Sequence, residues 1–457
     1  MAQTYDAIVI GTGQSAPSLA TRLAGAGMNV AIIERKLFGG TCVNNGCIPT
    51  KTLVASARAA YMASRAAEFG IMIDGPVKTD MKKVKARKDA VVAKSNQGVE
   101  NWVKNTKNLS VFEGHARFLG PHIVGVNGES LEAEKIFINV GARATVPPGF
   151  EDVPYLTNSS MMDVDFLPQH LIVVGGSYIG LEFGQMYRRF GTQVSIVQRG
   201  RRLIDREDED ISEAVKTILE KEGITIQLNA ECVRAEKQDS SIVAKIDCTS
   251  GSREVKGSHI LLAVGRRPNT EDLGLDKAGI EIDERGYIKV DDQLRTNVSG
   301  IWALGDCNGK GAFTHTSYND YEIVAANLLD NDPRKVSDRI PAYALYIDPP
   351  LGRAGMTETQ VRATGRKALF ATRPMTRVGR AVEKSETQGF MKVVVDAESK
   401  LILGAAILGM SGDEVIHSIL DVMYARQPYT LIQRAMHIHP TVTELVPTML
   451  GDLKPLE

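Results

Sequence analysis

The chain has 457 residues, a formal net charge of -1, 43% hydrophobic residues, 42 glycines and five cysteines. At about 150 residues per domain it has room for roughly three domains. The near-neutral charge gives no footprint for nucleic acid or an acidic membrane, and no apolar run approaches the ~20 residues of a membrane span. Five cysteines are too few for a disulfide framework, so a reducing, cytoplasmic setting is expected, with Cys232, Cys248 and Cys307 structural.

The first residues, MAQTYDAIVIGTG, lack a basic region followed by a long apolar core. They predict a strand and not a signal peptide. Tyr5 to Ile10 is a short apolar run of the kind found in a buried parallel strand. It leads into Gly11-x-Gly13-x-x-Ala16, a helical stretch to Ala26, and a second strand ending at Glu34. Glycines at this turn let a pyrophosphate reach the helix N-terminus, and an acid about twenty residues on takes a ribose hydroxyl pair. A dinucleotide is expected here.

Next comes GGTCVNNGCIPTK, Gly39 to Lys51, with Cys42 and Cys47 five positions apart. Gly39, Gly40 and Gly46 let the backbone approach a large flat ligand. Pro49 suits a first helical turn, and the following TKTLVASARAAYMASRAAEF is rich in helix formers. Both cysteines are therefore expected at or just inside a helix N-terminus, where the dipole favours a thiolate. A pair at this spacing does not share one face of an ideal helix. A disulfide between them would need a distorted first turn and would be easily reduced.

Met81 to Lys107 predicts a solvated amphipathic helix. Val111–Phe118, His122–Val126 and Lys135–Val140 predict strands, the last ending in Gly141, and Pro147-Pro148-Gly149 marks a boundary. The lone histidines His115 and His122 are expected to be structural. A second dinucleotide unit opens at Leu171 with Gly175-x-Ser177-x-x-Gly180, where serine takes the middle glycine position. Its second strand ends in Gln198-Arg199, not in an acid. That removes repulsion of a 2′-phosphate and adds positive charge, which favours NADPH over NADH.

A hairpin turn is expected over Ser250–Ser258. Strands are expected at His259–Val264 (running into Gly265), Gly286–Val290 and Gly300–Leu304 (running into Gly305-Asp306). A carboxylate at Asp306 is well placed to bind a ribityl chain. From Ile340 the pattern predicts an antiparallel sheet with helices on one face. The chain closes on HIHPTVTELVPTML, where His439 and Glu444 have the types and closeness of an acid–base dyad. His437 has no such partner.

Together these motifs resemble the flavin-dependent pyridine nucleotide–disulfide oxidoreductases of the glutathione reductase and dihydrolipoamide dehydrogenase type. The resemblance covers essentially the whole chain, and the cysteine motif looks most like the mercuric-reductase-like branch. It implies an α/β fold with two Rossmann-like dinucleotide-binding domains and a C-terminal α+β dimerisation domain. The implied division is 1–148 (first part of the FAD-binding domain), 149–270 (NAD(P)H-binding), 271–338 (return to the FAD/central domain) and 339–457 (interface). FAD would contact Gly11, Gly13, Ala16, Glu34, Gly40, Thr41, Ala116, Gly141 and Asp306. NADPH would use Gly175, Ser177, Gly180, Gln198 and Arg199, and Gly265 joins the cofactor set. Cys47 would be the charge-transfer thiolate against the flavin and Cys42 the interchange thiol.

By the same resemblance, Lys51 and Glu182 would form an ion pair beside the flavin, and His439 with Glu444 would act on the other subunit of a homodimer. No resident metal is implied. Mercuric reductases carry a C-terminal cysteine pair and usually lack the histidine; here no cysteine follows Cys307 and His439 is present. The implied acceptor is a small disulfide or a soft metal(loid)–thiol compound. A mercuric reductase without the C-terminal pair, or the dihydrolipoamide dehydrogenase component of a complex, is the alternative.

Overall fold

The computed structural model describes residues 2–456 other than 231–232, 240 and 247–252. Cys232, Cys248 and the first part of the expected 250–258 turn lie outside the described residues; Glu254–Gly257, in its second part, is a strand. Three sheets organise the chain. The first runs in the order Leu109–Glu113, Val30–Glu34, Gln3–Ile10, Glu129–Ile138, Ile123–Val126, Arg117–Gly120, and Ile301–Ala303 joins it beside Glu129–Ile138. Its central pairings are parallel. Successive residues of its strands feed two cores: Ile8, Ile10, Ala31 and Ile33 enter one, Ala7, Val9, Val30 and Ile32 the other. Both faces are covered, which is why these strands are continuous apolar runs.

The second sheet is parallel throughout, in the order Thr225–Gln227, Gln193–Val197, His170–Val174, His259–Leu262, Tyr155–Leu156. The helix Tyr178–Phe190 follows its glycine turn. An added Cβ on Gly180 would lie 1.9 Å from the Gly175 carbonyl oxygen, so only glycine lets the helix start this close to the strand end. A short antiparallel pair, Ala142–Ala144 with Arg266–Pro268, joins the two units. The third sheet is antiparallel and six-stranded, from Ala342–Leu345 to Lys454–Pro455. Its own helices, Gly412–Tyr424 and Leu445–Gly451, cover one face, as expected. The other face packs Leu351, Ala406 and Leu408 with Leu181 and Met186 of the second unit.

Four local expectations change. The cysteine motif is not one helix: Cys42 lies in a one-turn helix Gly40–Asn44, and Cys47 is the first residue of a separate helix Cys47–Ser64. Breaking the helix at Asn45-Gly46 solves the spacing problem, because the two cysteines no longer share one helical register. Gly286–Val290 forms only a single bridge, Ile282 with Ile288. The strand expected over Val111–Phe118 divides into Leu109–Glu113 and Arg117–Gly120. The charged helix, Met81–Lys104, is not wholly solvated, since Lys88 is 4% exposed and donates to the Met162 carbonyl at 2.8 Å.

Candidate active site

A cleft of about 1520 Å³ runs between the three sheets. It brings together Gly11, Gly13, Glu34, Gly40, Thr41, Cys42, Cys47, Lys51, Ala116, Gly141, Glu182 and Asp306 from the residues singled out in the sequence. It does not include Ala16, which is buried in helix packing, nor Gly175, Ser177, Gly180, Gln198, Arg199, Gly265, His439 or Glu444.

The first glycine turn is shaped for a close-lying ligand. Gly11 has φ +98°, and a Cβ there would meet the Asn139 carbonyl oxygen at 2.4 Å. Gly40, at φ +61°, brings the cysteine segment so near that a Cβ would stand 2.9 Å from the Gly13 Cα. Glu34 Oε2 accepts from the Thr12 amide (3.0 Å) and hydroxyl (2.6 Å), and the carboxylate faces the cleft. Asp306, also on the cleft, is held beside Arg266, 3.4 Å away; burial raises its carboxyl and the guanidinium opposes that. A glycine cradle, an acid at the strand end and a second carboxylate, Asp306, on the same cleft together fit FAD.

Both cysteines are free thiols. Gly46 sets their approach: a Cβ there would meet the Thr41 carbonyl oxygen at 2.8 Å and the Cys42 Cα at 3.2 Å. Cys47 is drawn down to about 6, chiefly by the hydrogen bond from Cys42, against burial, with help from the Thr314 hydroxyl and the Lys51 charge. Cys42 moves the other way, because it supplies that proton and is itself buried. These opposed shifts favour one thiolate and one thiol, with Cys47, the more acidic, at a helix N-terminus. Thr314, 3.0 Å from the Cys47 sulfur, opens the helix Thr314–Ala325. The sequence reading missed it; the signal was a glycine-rich segment, Gly309–Gly311, ahead of a new helix start.

Lys51 Nζ lies 2.7 Å from Glu182 Oε2 and 4.5 Å from the centre of the Tyr346 ring. Glu182 is 5% exposed, and its other oxygen accepts from the Tyr346 amide at 3.0 Å. This ion pair ties the cysteine helix to the second unit and the third sheet. Tyr178 and Tyr346, which also line the cleft, were not legible as site residues because their contacts come from distant segments.

The second glycine turn uses the same device with a different residue. Gln198 Oε1 accepts from the Gly176 amide at 2.8 Å, while Arg199 and Arg201 are exposed. His439 and Glu444 do pair, with Nδ1 3.0 Å from both carboxylate oxygens. The imidazole is 79% exposed and stands outside the cleft of its own chain. His115, His122 and His437 each hydrogen-bond a backbone carbonyl, and Cys307 is fully buried against two carbonyls.

The sequence profile of pyridine nucleotide-disulphide oxidoreductases matches residues 5–320, and that of their dimerisation domain matches residues 341–450. The chain belongs to this family. It is a flavoprotein oxidoreductase that uses FAD and a nicotinamide dinucleotide. It is 36% identical over 452 residues to a probable pyridine nucleotide-disulfide oxidoreductase, RclA, of Escherichia coli, covering 96% of this chain and 97% of that one. It is 33% identical over 447 residues to a dihydrolipoyl dehydrogenase of Thermus scotoductus, covering 97% and 96%. A mercuric reductase of Bacillus cereus is 31% identical over 416 residues, covering 91% of this chain and 66% of that one. The solved Cu(II) complex of the HOCl-induced flavoprotein disulfide reductase RclA from Escherichia coli superimposes with a TM-score of 0.90 at 34% identity, covering 99% of both chains. No helix among the described residues is long and apolar enough to cross a membrane.

Proposed function

We propose that this oxidoreductase takes electrons from NADPH and delivers them through Cys42 and Cys47 to a disulfide or a soft metal(loid)–thiol compound in the cytoplasm. The observation that carries the reading is the thiolate–thiol pair in the same cleft as the first glycine turn, with the Lys51–Glu182 ion pair beside it. FAD, when bound, supplies a two-electron relay between the nicotinamide and the cysteine pair. Gly11, Gly13, Ala16, Glu34, Gly40, Thr41, Ala116, Gly141 and Asp306 hold it.

The chain's own residues do the thiol chemistry. Cys47 is kept as the thiolate by the Cys42 and Thr314 donors and the Lys51 charge. Cys42 is the thiol that meets the acceptor. Attack on a disulfide releases a thiolate that needs a proton. His439, oriented by Glu444, is built to supply it, and its exposure fits service to the cleft of a second copy. We assign residues 1–148 and 271–338 to the FAD domain, 149–270 to the nucleotide domain and 339–457 to the dimer interface. Gln198 and Arg199 at the second strand end support NADPH over NADH.

The relatives support both acceptor classes, since they include disulfide-family enzymes, a mercuric reductase and a relative crystallised with Cu(II). The deciding experiment is NADPH oxidation by the purified holoenzyme with glutathione disulfide, mercuric ion, Cu(II) and selenium–glutathione compounds in parallel, with NADH as control. Turnover of one or more of these acceptors, faster with NADPH, is the expected outcome. A dihydrolipoamide dehydrogenase reading is favoured by the 33% identity and the His439–Glu444 pair. Fast NAD+-linked oxidation of dihydrolipoamide, with none of the four acceptors reduced, would establish it instead.

A further inference from the structure

Arg206 belongs to no motif of the sequence, and the structure gives it an unusual setting. It sits in the segment Leu203–Asp208, between the second strand of the second unit and the helix Glu209–Lys221. The segment is fastened at several points. The Ile204 amide donates to the Gly176 carbonyl at 2.8 Å, tying it to the second glycine turn itself. Leu203 packs on that turn: a Cβ on Gly176 would meet Leu203 Cδ2 at 2.6 Å. The Ser212 hydroxyl donates to the Leu203 carbonyl. Glu207, 1% exposed, accepts from Tyr343 on one oxygen and from Arg353 on the other, with Arg353 Nε at 3.0 Å. Asp208 accepts from the amides of Glu358 and Thr359, each at 3.0 Å.

Within this clamp Ile204 has φ +37°. A β-branched residue in that region is a true outlier, costing on the order of 1–3 kcal/mol, and persists only where its surroundings over-determine it. Ile204 and Glu207, which flank residues 205–206, are thus held while the Arg206 side chain is exposed and lines the cleft. It makes no hydrogen bond or ion pair among the described residues. Its charge acts on the phenol of Tyr178, the first residue of the helix behind the glycine turn, which burial pushes up to about 12. A cation carried on a segment tied to a glycine turn that opens a helix matches a phosphate. Arg199, by contrast, stands at the strand end outside the cleft, where a 2′-phosphate is expected.

We propose that Arg206 is a binding residue for the nicotinamide dinucleotide, contacting the pyrophosphate that NADPH and NADH share. Arg199 then reads the 2′-phosphate and Arg206 the common part.

The test is titration of oxidised holoenzyme with NADP+ and, separately, NAD+, followed by calorimetry. For Arg206→Gln both dissociation constants should rise about tenfold, the effect of losing a charge-assisted hydrogen bond. Arg206→Lys should recover part of the loss. Arg199→Gln should weaken NADP+ only. Flavin absorbance and thermal midpoint of each variant establish that it is folded and loaded. Unchanged affinity for both nucleotides in Arg206→Gln would overturn the proposal. So would weakening of NADP+ alone, which would move Arg206 to the 2′-phosphate.

Discussion

In the first glycine unit the Glu34 carboxylate accepts from the Thr12 amide at 3.0 Å; in the second the Gln198 amide oxygen accepts from the Gly176 amide at 2.8 Å. The sequence separation is 22 residues in both. Each strand end therefore braces its own glycine turn, and acid or amide serves that purpose equally. What differs is the surroundings. The first turn is roofed by the cysteine segment, through the Gly40–Gly13 approach, and lies inside the cleft. The second turn is packed by Leu203 and Ile204 of its own unit instead of by the cysteine segment, and it lies outside the cleft. A roofed turn suits a cofactor that stays, an open one a nucleotide that comes and goes. The residue at the strand end then matters for its charge: an acid repels a 2′-phosphate, an amide does not.

Four experiments break or sharpen this comparison. The largest effect is expected from Cys47→Ser, which cuts the route out of the roofed unit while leaving both turns intact. Acceptor turnover should fall by roughly a thousandfold or more, and the long-wavelength absorbance of the two-electron-reduced holoenzyme should vanish. Persistence of that band would mean that the roles of Cys42 and Cys47 are reversed. Next, His439→Gln acts outside both units. Disulfide turnover should drop by about a hundredfold, while stopped-flow reduction of the flavin by NADPH stays near the wild-type rate. Equal slowing of the two steps would remove His439 from the thiol chemistry.

A smaller change is expected from Gln198→Glu, which gives the open unit the acid of the roofed one. The ratio of kcat/KM for NADPH over NADH should fall by about tenfold; an unchanged ratio would show that the strand-end residue only braces its turn. The smallest effect is on pH. Cys47 is lowered from 9.0 to about 6. Its thiolate is therefore present above that pH and is lost as pH falls through it. Thiolate ultraviolet absorbance of the reduced enzyme should be half gone near pH 6, and Thr314→Val, which deletes the hydroxyl donor, should move that midpoint upward. A midpoint that stays put would take Thr314 out of the thiolate's support.

The sequence by itself determined the parts whose partners are near in the chain. Gly11, Gly13 and Glu34 announced a nucleotide unit, as did Gly175, Gly180 and Gln198, because a glycine turn and its strand end act within one βαβ stretch. His439 and Glu444 were legible together because a single turn brings them to 3.0 Å. Only the tertiary structure decided what depends on distant segments. Cys42 and Cys47 were visible, but the helix break at Gly46 is set by the Thr41 carbonyl and the Cys42 backbone packed against it. Thr314 reaches the Cys47 sulfur across 267 positions of chain; the Lys51–Glu182 pair, 131 positions apart, was legible only through the family resemblance. Arg206 belongs to no motif, and contacts of its flanking residues with distant segments hold it at the cleft. Local periodicity and turn chemistry carry no record of such contacts, because side chains brought together by packing owe their geometry to the sheets that carry them.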